Sequence, residues 1–176
     1  MMLKKMPVKK KKDEDTRKAE ELESRKKKRT EVFLSYACSD ISFAGEIVRE
    51  CLDVLSAANI ISYWDDPQIR MEEAWNDKLQ EALSRAKVIV MLASNDYIKY
   101  AYKNELTAIS QAVEEEEAII LWLLIRDCEY SLLDVCDDQS IMPCERALED
   151  KDLYGSIDKR RTIYKRLTKC VKKHMD

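Results

Sequence analysis

The run Ala118-Ile119-Ile120-Leu121-Trp122-Leu123-Leu124-Ile125 decides the fold. It is the longest apolar stretch in the chain, far short of the ~18 residues that would cross a membrane. An uninterrupted run of this length suits a strand covered on both faces, the situation of a parallel sheet between two layers of helices. Upstream, Tyr100 to Val113 has helical spacing and Val88–Ala93 is another strand-like run. Before it, Trp75, Leu79, Leu83 and Ala86 fall on one helical face, and Ile60–Trp64 reads as a strand closed by the turn signal Asp65-Asp66-Pro67. Ile41–Ala58 carries Phe43, Ile47, Val48, Cys51, Leu52 and Leu55 at helical spacing, and Val32–Tyr36 is the first strand. Downstream, residues 126–157 are irregular with room for one short strand, and Ile163, Leu167, Cys170 and Val171 mark a closing helix.

Strand–helix alternation repeated in this way predicts an α/β fold: a small doubly wound parallel sheet of about five strands with helices on both faces. Open sheets of this kind bind ligands beyond the carboxyl ends of their strands. That rule lines up Ser35, Tyr36 and Ala37, then Trp64, Asp65 and Asp66, then Ser94, Asn95 and Asp96 along one rim, with the start of the Tyr100–Val113 helix nearby.

The 176 residues leave room for one domain and a tail. Residues 1–30 hold 13 Lys/Arg against 6 Asp/Glu, and the remaining 146 hold 18 against 28. The expected division is therefore a charged tail, 1–30, and an acidic domain, 31–176. The acidity argues against a dedicated nucleic-acid surface on the domain. In the tail, Lys9–Lys12 and Arg25–Arg29 bracket an acidic middle, and Thr16–Lys28 has opposite charges at helical spacing but almost no apolar stripe. It reads as a solvated, largely disordered segment, or as an electrostatic tether to a partner or to RNA.

Six cysteines, Cys38, Cys51, Cys128, Cys136, Cys144 and Cys170, form no CxxC pair, and the chain has a single histidine, His174. Zinc clusters of the usual spacing are thus absent, so no metal is expected, and the thiols read as free cysteines of a reducing, cytoplasmic compartment. The basic N-terminus lacks the apolar segment of a secretory signal, and no membrane partner is expected. Gly45 and Gly155 are the only glycines. Neither a Walker A loop nor a GxGxxG fingerprint can be built from them, so any nucleotide site must work without a glycine-rich phosphate cradle.

Three boxes in order resemble the Toll/interleukin-1 receptor (TIR) domain, especially its bacterial and archaeal kind. Val32-Phe33-Leu34-Ser35-Tyr36-Ala37, followed by Asp40, is similar to the family's opening strand. Tyr63-Trp64-Asp65-Asp66 through Trp75-Asn76 resembles the second box and its long loop. Ser94 to Tyr97 followed by Asn104-Glu105-Leu106 resembles the third. The likeness covers about residues 31–126 with the right gaps. It departs in two places: Glu72 stands where the loop normally has glycine, and Ala101 where an aromatic usually precedes the glutamate, leaving Tyr100 and Tyr102 as the nearest rings. A glycine takes φ > 0 cheaply and a glutamate does not, so an altered loop is expected.

Many TIR domains hydrolyse or cyclise NAD, and the resemblance implies Glu105 as the catalytic acid, with NAD as substrate rather than cofactor. The residues around it are independently suggestive. Ala101 and Tyr102 precede it, and Ala108, Ile109 and Ala112 follow on an apolar stripe, so its carboxylate is expected to be desolvated and to need a partner. A pairing with Lys or Arg at a helix edge is the plainer alternative. Glu114–Glu117 reads as a solvated helix end. Substrate-binding candidates are Ser35 and Ser94 for ribose or phosphate, Tyr36 and Trp64 for stacking, Arg70 for phosphate, and Ala37 and Tyr102 beside them. Strand-end serines also serve turns, strand-end aromatics also lid a core, and Arg70 also suits plain solvation. Trp75 fits core packing.

The resemblance further implies self-association through the Asp65–Glu73 loop, which carries Pro67, Ile69 and Met71, and a separate sensor or effector protein in immune or anti-phage signalling. Two other functions remain open: a non-enzymatic TIR scaffold, and a nucleoside deoxyribosyltransferase-like enzyme, which breaks N-glycosidic bonds with a glutamate on a similar sheet.

Overall fold

A computed structural model describes residues 30–65, 75–116, 118–129 and 146–176; the side chains of residues 65, 75, 102, 115, 116, 152 and 153 fall outside that description. Four strands are present among the described residues: β1 (Glu31–Ser35), β2 (Ser62–Asp65), β3 (Ala86–Ala93) and β4 (Ile119–Leu124). They form one sheet in the order β2-β1-β3-β4, and every pairing is parallel. Phe33 of β1 is aligned with Trp64 on one side and Ile89 on the other, and Val90 of β3 with Leu121 of β4. Val88 to Ala93 are all fully buried, as is Leu121. This is why the β3 and β4 runs show no polar alternation: helices cover both faces. The room left for a fifth strand falls in 130–145, outside the described residues.

The helix read from Ile41 to Ala58 is three pieces after a 3-10 turn at Cys38–Asp40: α1 (Ile41–Ile47), a π turn (Val48–Leu52) and α2 (Asp53–Ala57). The wider turn lets the adjacent Cys51 and Leu52 both face the core, together with Ile47 and Leu55. Next come α3 (Trp75–Arg85), α4 (Asn95–Asn104), α5 (Leu106–Glu116), α6 (Lys151–Tyr154) and α7 (Ile157–Met175). At Gly155, between the last two, a Cβ would run into the carbonyl oxygen of Lys151, so only glycine fits without a shift.

Right-handed crossovers sort the helices into layers. The β1-to-β2 crossover runs one way along the sheet, and those from β2 to β3 and β3 to β4 run the other. Consequently α1, the π turn and α2 cover one face, while α3, α4 and α5 cover the opposite one, where α3 packs on α5. The closing helix α7 packs against the π turn and joins the first layer. It buries Ile163, Tyr164, Leu167 and Val171 and is fixed laterally by Arg160, whose Nε and Nη2 donate to Glu46 of α1 at 2.7 and 2.8 Å. No helix among the described residues is long and apolar enough to cross a membrane.

Among the described residues, Cys38, Cys51, Cys128 and Cys170 stand outside any disulfide. Burial pushes the Cys51 thiol up to about 11, against a weaker opposing hydrogen bond with Thr168, so it is an inert core group at neutral pH.

Candidate active site at the β1–β3 crevice

The sequence pattern runs through Tyr100–Val113 as one helix, but the backbone leaves helical geometry at Glu105, with φ −124° and ψ −27°. The hydrogen-bond ladder continues across the break, from Glu105 N to the Ala101 carbonyl at 3.0 Å and from Ile109 N to the Glu105 carbonyl at 2.9 Å. Only the direction of the chain changes, and α5 departs from the end of α4 at this residue.

The consequence is where the carboxylate goes. Glu105 is 1% exposed. Its Oε2 accepts a short hydrogen bond from the hydroxyl of Ser35, the last residue of β1. Its Oε1 accepts from the Tyr100 hydroxyl at 2.8 Å. The chain leaves β1 toward one edge of the sheet and leaves β3 toward the other, so the crevice between their carboxyl ends is the topological switch point. Glu105, carried by the helices after β3, closes on the end of β1 at that crevice. A buried carboxylate needs hydrogen-bond donors to remain there, and two hydroxyls supply them. Tyr100 is in turn packed on Tyr97, with ring centroids 6.5 Å apart, and Tyr97 meets Trp122 of β4 edge-on at 6.5 Å. This aromatic stack fixes where the Tyr100 hydroxyl stands.

Ser94 follows β3 directly and enters a second network on the same rim. Its hydroxyl caps α4, accepting from Tyr97 N at 3.1 Å, and donates to Asp40 Oδ2 at 2.5 Å. The carboxylate of Asp40 is fully buried, and its Oδ1 accepts from Arg126 Nε at 2.9 Å. Arg126 continues to Glu149 at 3.4 Å, and its own pKa is raised, chiefly by the Asp40 hydrogen bond. Beyond β4 a cavity of about 320 Å³ is lined by Leu124, Asp127, Arg146, Ala147, Glu149 and Asp150, none of them a substrate or catalytic candidate from the sequence.

Of the residues picked out as substrate contacts, the structure brings Ser35 to Glu105 and sends others elsewhere. Trp64 donates its indole N–H in a short bond to Glu31, at the far end of β1, and Glu31 also pairs with Arg85 at 2.5 Å. Tyr36 and Ala37 follow β1 directly and are buried, 1% and 5% exposed, with Ala37 accepting from Asp40 N at 2.9 Å. Tyr102 is on α4, with its side chain outside the described residues, as is Arg70 with residues 66–73 of the loop. Tyr100 gained its place by position: five residues before the glutamate, it was one of two rings near the missing aromatic at Ala101. Asp40 and Arg126 are separated by 86 residues, and no local pattern joins them.

An open parallel sheet with a buried carboxylate at its switch point defines the class. A family model described as a TIR domain matches residues 32–162, from β1 into α7. The chain belongs to the TIR domain family. No curated protein and no solved structure matches it.

Proposed function

We propose that this TIR domain cleaves NAD at the bond between nicotinamide and ribose, with Glu105 as its catalytic carboxylate. The observation that carries this reading is the burial of Glu105 at the β1–β3 crevice with a hydroxyl on each oxygen. A sugar offers the same kind of donor, so ribose hydroxyls can take over the places of Tyr100 and Ser35 without a change in chemistry. The C1′–N bond then breaks with its electron pair going to nicotinamide, which leaves neutral and needs no general acid. The carboxylate stabilises the oxocarbenium character left on the ribose. Water adding at C1′ and losing a proton gives ADP-ribose. Attack by an adenine nitrogen or a ribose hydroxyl of the same molecule gives a cyclic isomer instead.

Ser35 and Tyr100 are the polar groups closest to this chemistry. Tyr36, Ala37, Tyr102 and Arg70 remain candidate contacts around it, whereas Trp64 and Ser94 must leave their present partners to take part. Likeness to the family extends the proposal to self-association through the Asp65–Glu73 loop and to immune or anti-phage signalling in the cytoplasm with a separate sensor. Incubating concentrated protein with NAD, and resolving the products by chromatography and mass, tests the activity. Nicotinamide with ADP-ribose or its cyclic isomer is the expected result, and unchanged NAD overturns the reading.

One observation favours a second reading, a scaffold without activity. Glu105 already has both oxygens satisfied, which is sufficient for a purely structural role. In that case NAD stays intact and Glu105→Gln lowers only the melting temperature.

A further inference from the structure

The acidity of the domain is not spread evenly over its surface. Residues 31–176 hold 18 Lys/Arg against 28 Asp/Glu, yet α7 holds eight against one in its 19 residues. Two of the cations near its start are used inside the molecule, Arg160 on Glu46 and Arg161 on Glu50 and Asp158. From Thr162 to Met175 the helix contains no acid. In that stretch Lys165, Arg166, Lys169, Lys172 and Lys173 are all exposed, at steps of three and four residues, on the face turned away from Ile163, Leu167 and Val171. None of the five has a carboxylate partner among the described residues. Lys87, near the start of β3, joins them, because its Nζ donates to the Met175 carbonyl at 3.0 Å. After burial, Lys173 and Lys87 help to lower the His174 pKa, so the positive field is felt where they meet.

Helix stability accounts for only part of this pattern. Lys172 and Lys173 lie in the last turn, where cations complement the macrodipole. Lys165, Arg166 and Lys169 lie further back, and like charges three and four residues apart repel one another. The stripe suits a dense row of negative charge outside the molecule. From Lys165 to Lys173 the helix rises about 12 Å, a length over which a duplex presents roughly seven phosphates. An anionic membrane fits less well. The apolar side chains of α7 are buried in the core, and Ile41 and Val54, the exposed large apolar side chains among the described residues, belong to α1 and α2, so α7 has no apolar side to insert. A single strand also fits less well, because its bases stack on aromatic rings and the tyrosine of α7, Tyr164, is buried.

We propose that the outer face of α7 binds a nucleic-acid duplex by its phosphate backbone. The overall acidity of the domain argues against such a surface, and the distribution of charge reverses that expectation, since a phosphate strand meets a local stripe rather than a net charge. Helix α7 contains no Asn or Gln to read adenine, so binding is independent of sequence and holds the domain on the duplex. A stripe of lysine and arginine treats DNA and RNA duplexes alike, because it has no dedicated partner for the 2′-hydroxyl. The patch ends at Lys87, toward the amino end of the sheet, whereas Glu105 closes on the carboxyl end of β1. A bound duplex therefore leaves the crevice open. The inference is independent of the catalytic reading.

Fluorescence anisotropy of a short labelled DNA duplex, titrated with the full chain, tests this. With five phosphates neutralised, the logarithm of the affinity should fall against the logarithm of salt with a slope of about −4.5 or steeper. Lys165→Gln/Lys169→Gln/Lys172→Gln should make that slope shallower by about 2.7, and the same three changed to Glu should weaken binding about tenfold or more at low salt. Melting temperatures stay near wild type, and the single reversal Lys169→Glu gives a smaller loss that guards against misfolding of a triple variant. Lys99→Gln/Lys103→Gln, exposed cations of α4 in the opposite layer, leaves binding unchanged. Unlabelled DNA of another sequence and an RNA duplex of the same length compete equally. Absence of binding at low salt, α7 variants that bind like wild type, or competition that depends on sequence overturns the proposal. So does binding that survives in the α7 variants and is lost in Lys26→Gln/Lys27→Gln/Lys28→Gln. Vesicles of phosphatidylcholine and phosphatidylserine that bind wild type through α7 while the duplex does not overturn it as well.

Discussion

Two buried carboxylates stand on the same rim of the sheet, and they are held by different chemistry. Asp40 receives a guanidinium, Arg126 at 2.9 Å, and the Ser94 hydroxyl that also caps α4. Glu105 receives hydroxyls, from Ser35 and Tyr100. A guanidinium on a buried carboxylate is a fixed ionic joint that no neutral substrate can replace without stranding a charge. A hydroxyl on a carboxylate is a bond that a sugar reproduces. The first arrangement ties the end of β1 to the ends of β3 and β4, and the second leaves a carboxylate that a ribose can address.

The largest expected effect is on the hydroxyl-held member. Glu105→Gln keeps the side-chain volume and loses the charge that would stabilise the cationic transition state. NAD cleavage should fall by roughly a thousandfold or more, while the circular dichroism spectrum is unchanged. Turnover close to wild type in folded protein removes Glu105 from the chemistry and makes the two carboxylates equivalent.

The guanidinium-held member should answer in stability instead. Arg126→Met leaves Asp40 buried with the Ser94 hydroxyl and without its ionic partner. The expected loss is about 2–3 kcal/mol, below the range for a fully buried pair because the Arg126 side chain is 40% exposed. Urea denaturation measures it. NAD turnover per folded molecule should stay within about threefold of wild type, which is about 0.65 kcal/mol in barrier height. Loss of turnover without loss of stability would show that the Asp40 network belongs to the site.

How far the sequence reveals this contrast depends on the range of the interactions. The strands were readable because burial on both faces leaves unbroken runs such as Val88–Ala93 and Ala118–Ile125. Glu105 was readable as a carboxylate on an apolar stripe. The break beside it was not, because the Ala101–Glu105–Ile109 ladder keeps its four-residue step through the bend. Ser94 offered two roles at a strand end. The one observed depends on Asp40, 54 residues away, which no local period reports. Trp64 likewise turns to Glu31 because parallel pairing sets β2 beside β1, a matter of register rather than composition.

Glu46 on α1 refines the comparison, since it takes both kinds of donor. Burial works against its charge, but the Arg160 and Tyr164 hydrogen bonds, together with the charges of Arg160 and Arg49, outweigh it and hold its pKa below the ordinary 4.5. A carboxylate depressed in the folded state contributes stability that is complete above the ordinary value and is lost as pH falls through the folded one. As pH falls below that ordinary value, wild type should therefore lose more stability than Glu46→Gln does. Denaturation midpoints across that range measure the difference. Parallel pH curves for the two proteins would mean that the α1–α7 joint is not ionic in effect.

The smallest expected effect is at the other end of the chain, and it asks whether both carboxylate networks are complete within the domain. Every bond described for Asp40 and Glu105 comes from residues between Ser35 and Arg126, with Glu149 behind the latter. Residues 1–30 are rich in charge and poor in apolar surface, so they bring little burial to offset the entropy of ordering them. A protein beginning at Arg29 should accordingly melt within about 2 °C of the full chain, a change of no more than about 0.6 kcal/mol for a domain of this size. Its NAD turnover should be equally unaffected if the tail serves as a tether. A fall of 5 °C or more would place the tail against the domain. If the fall were also accompanied by loss of turnover, the donors seen on Glu105 would be only part of what holds it.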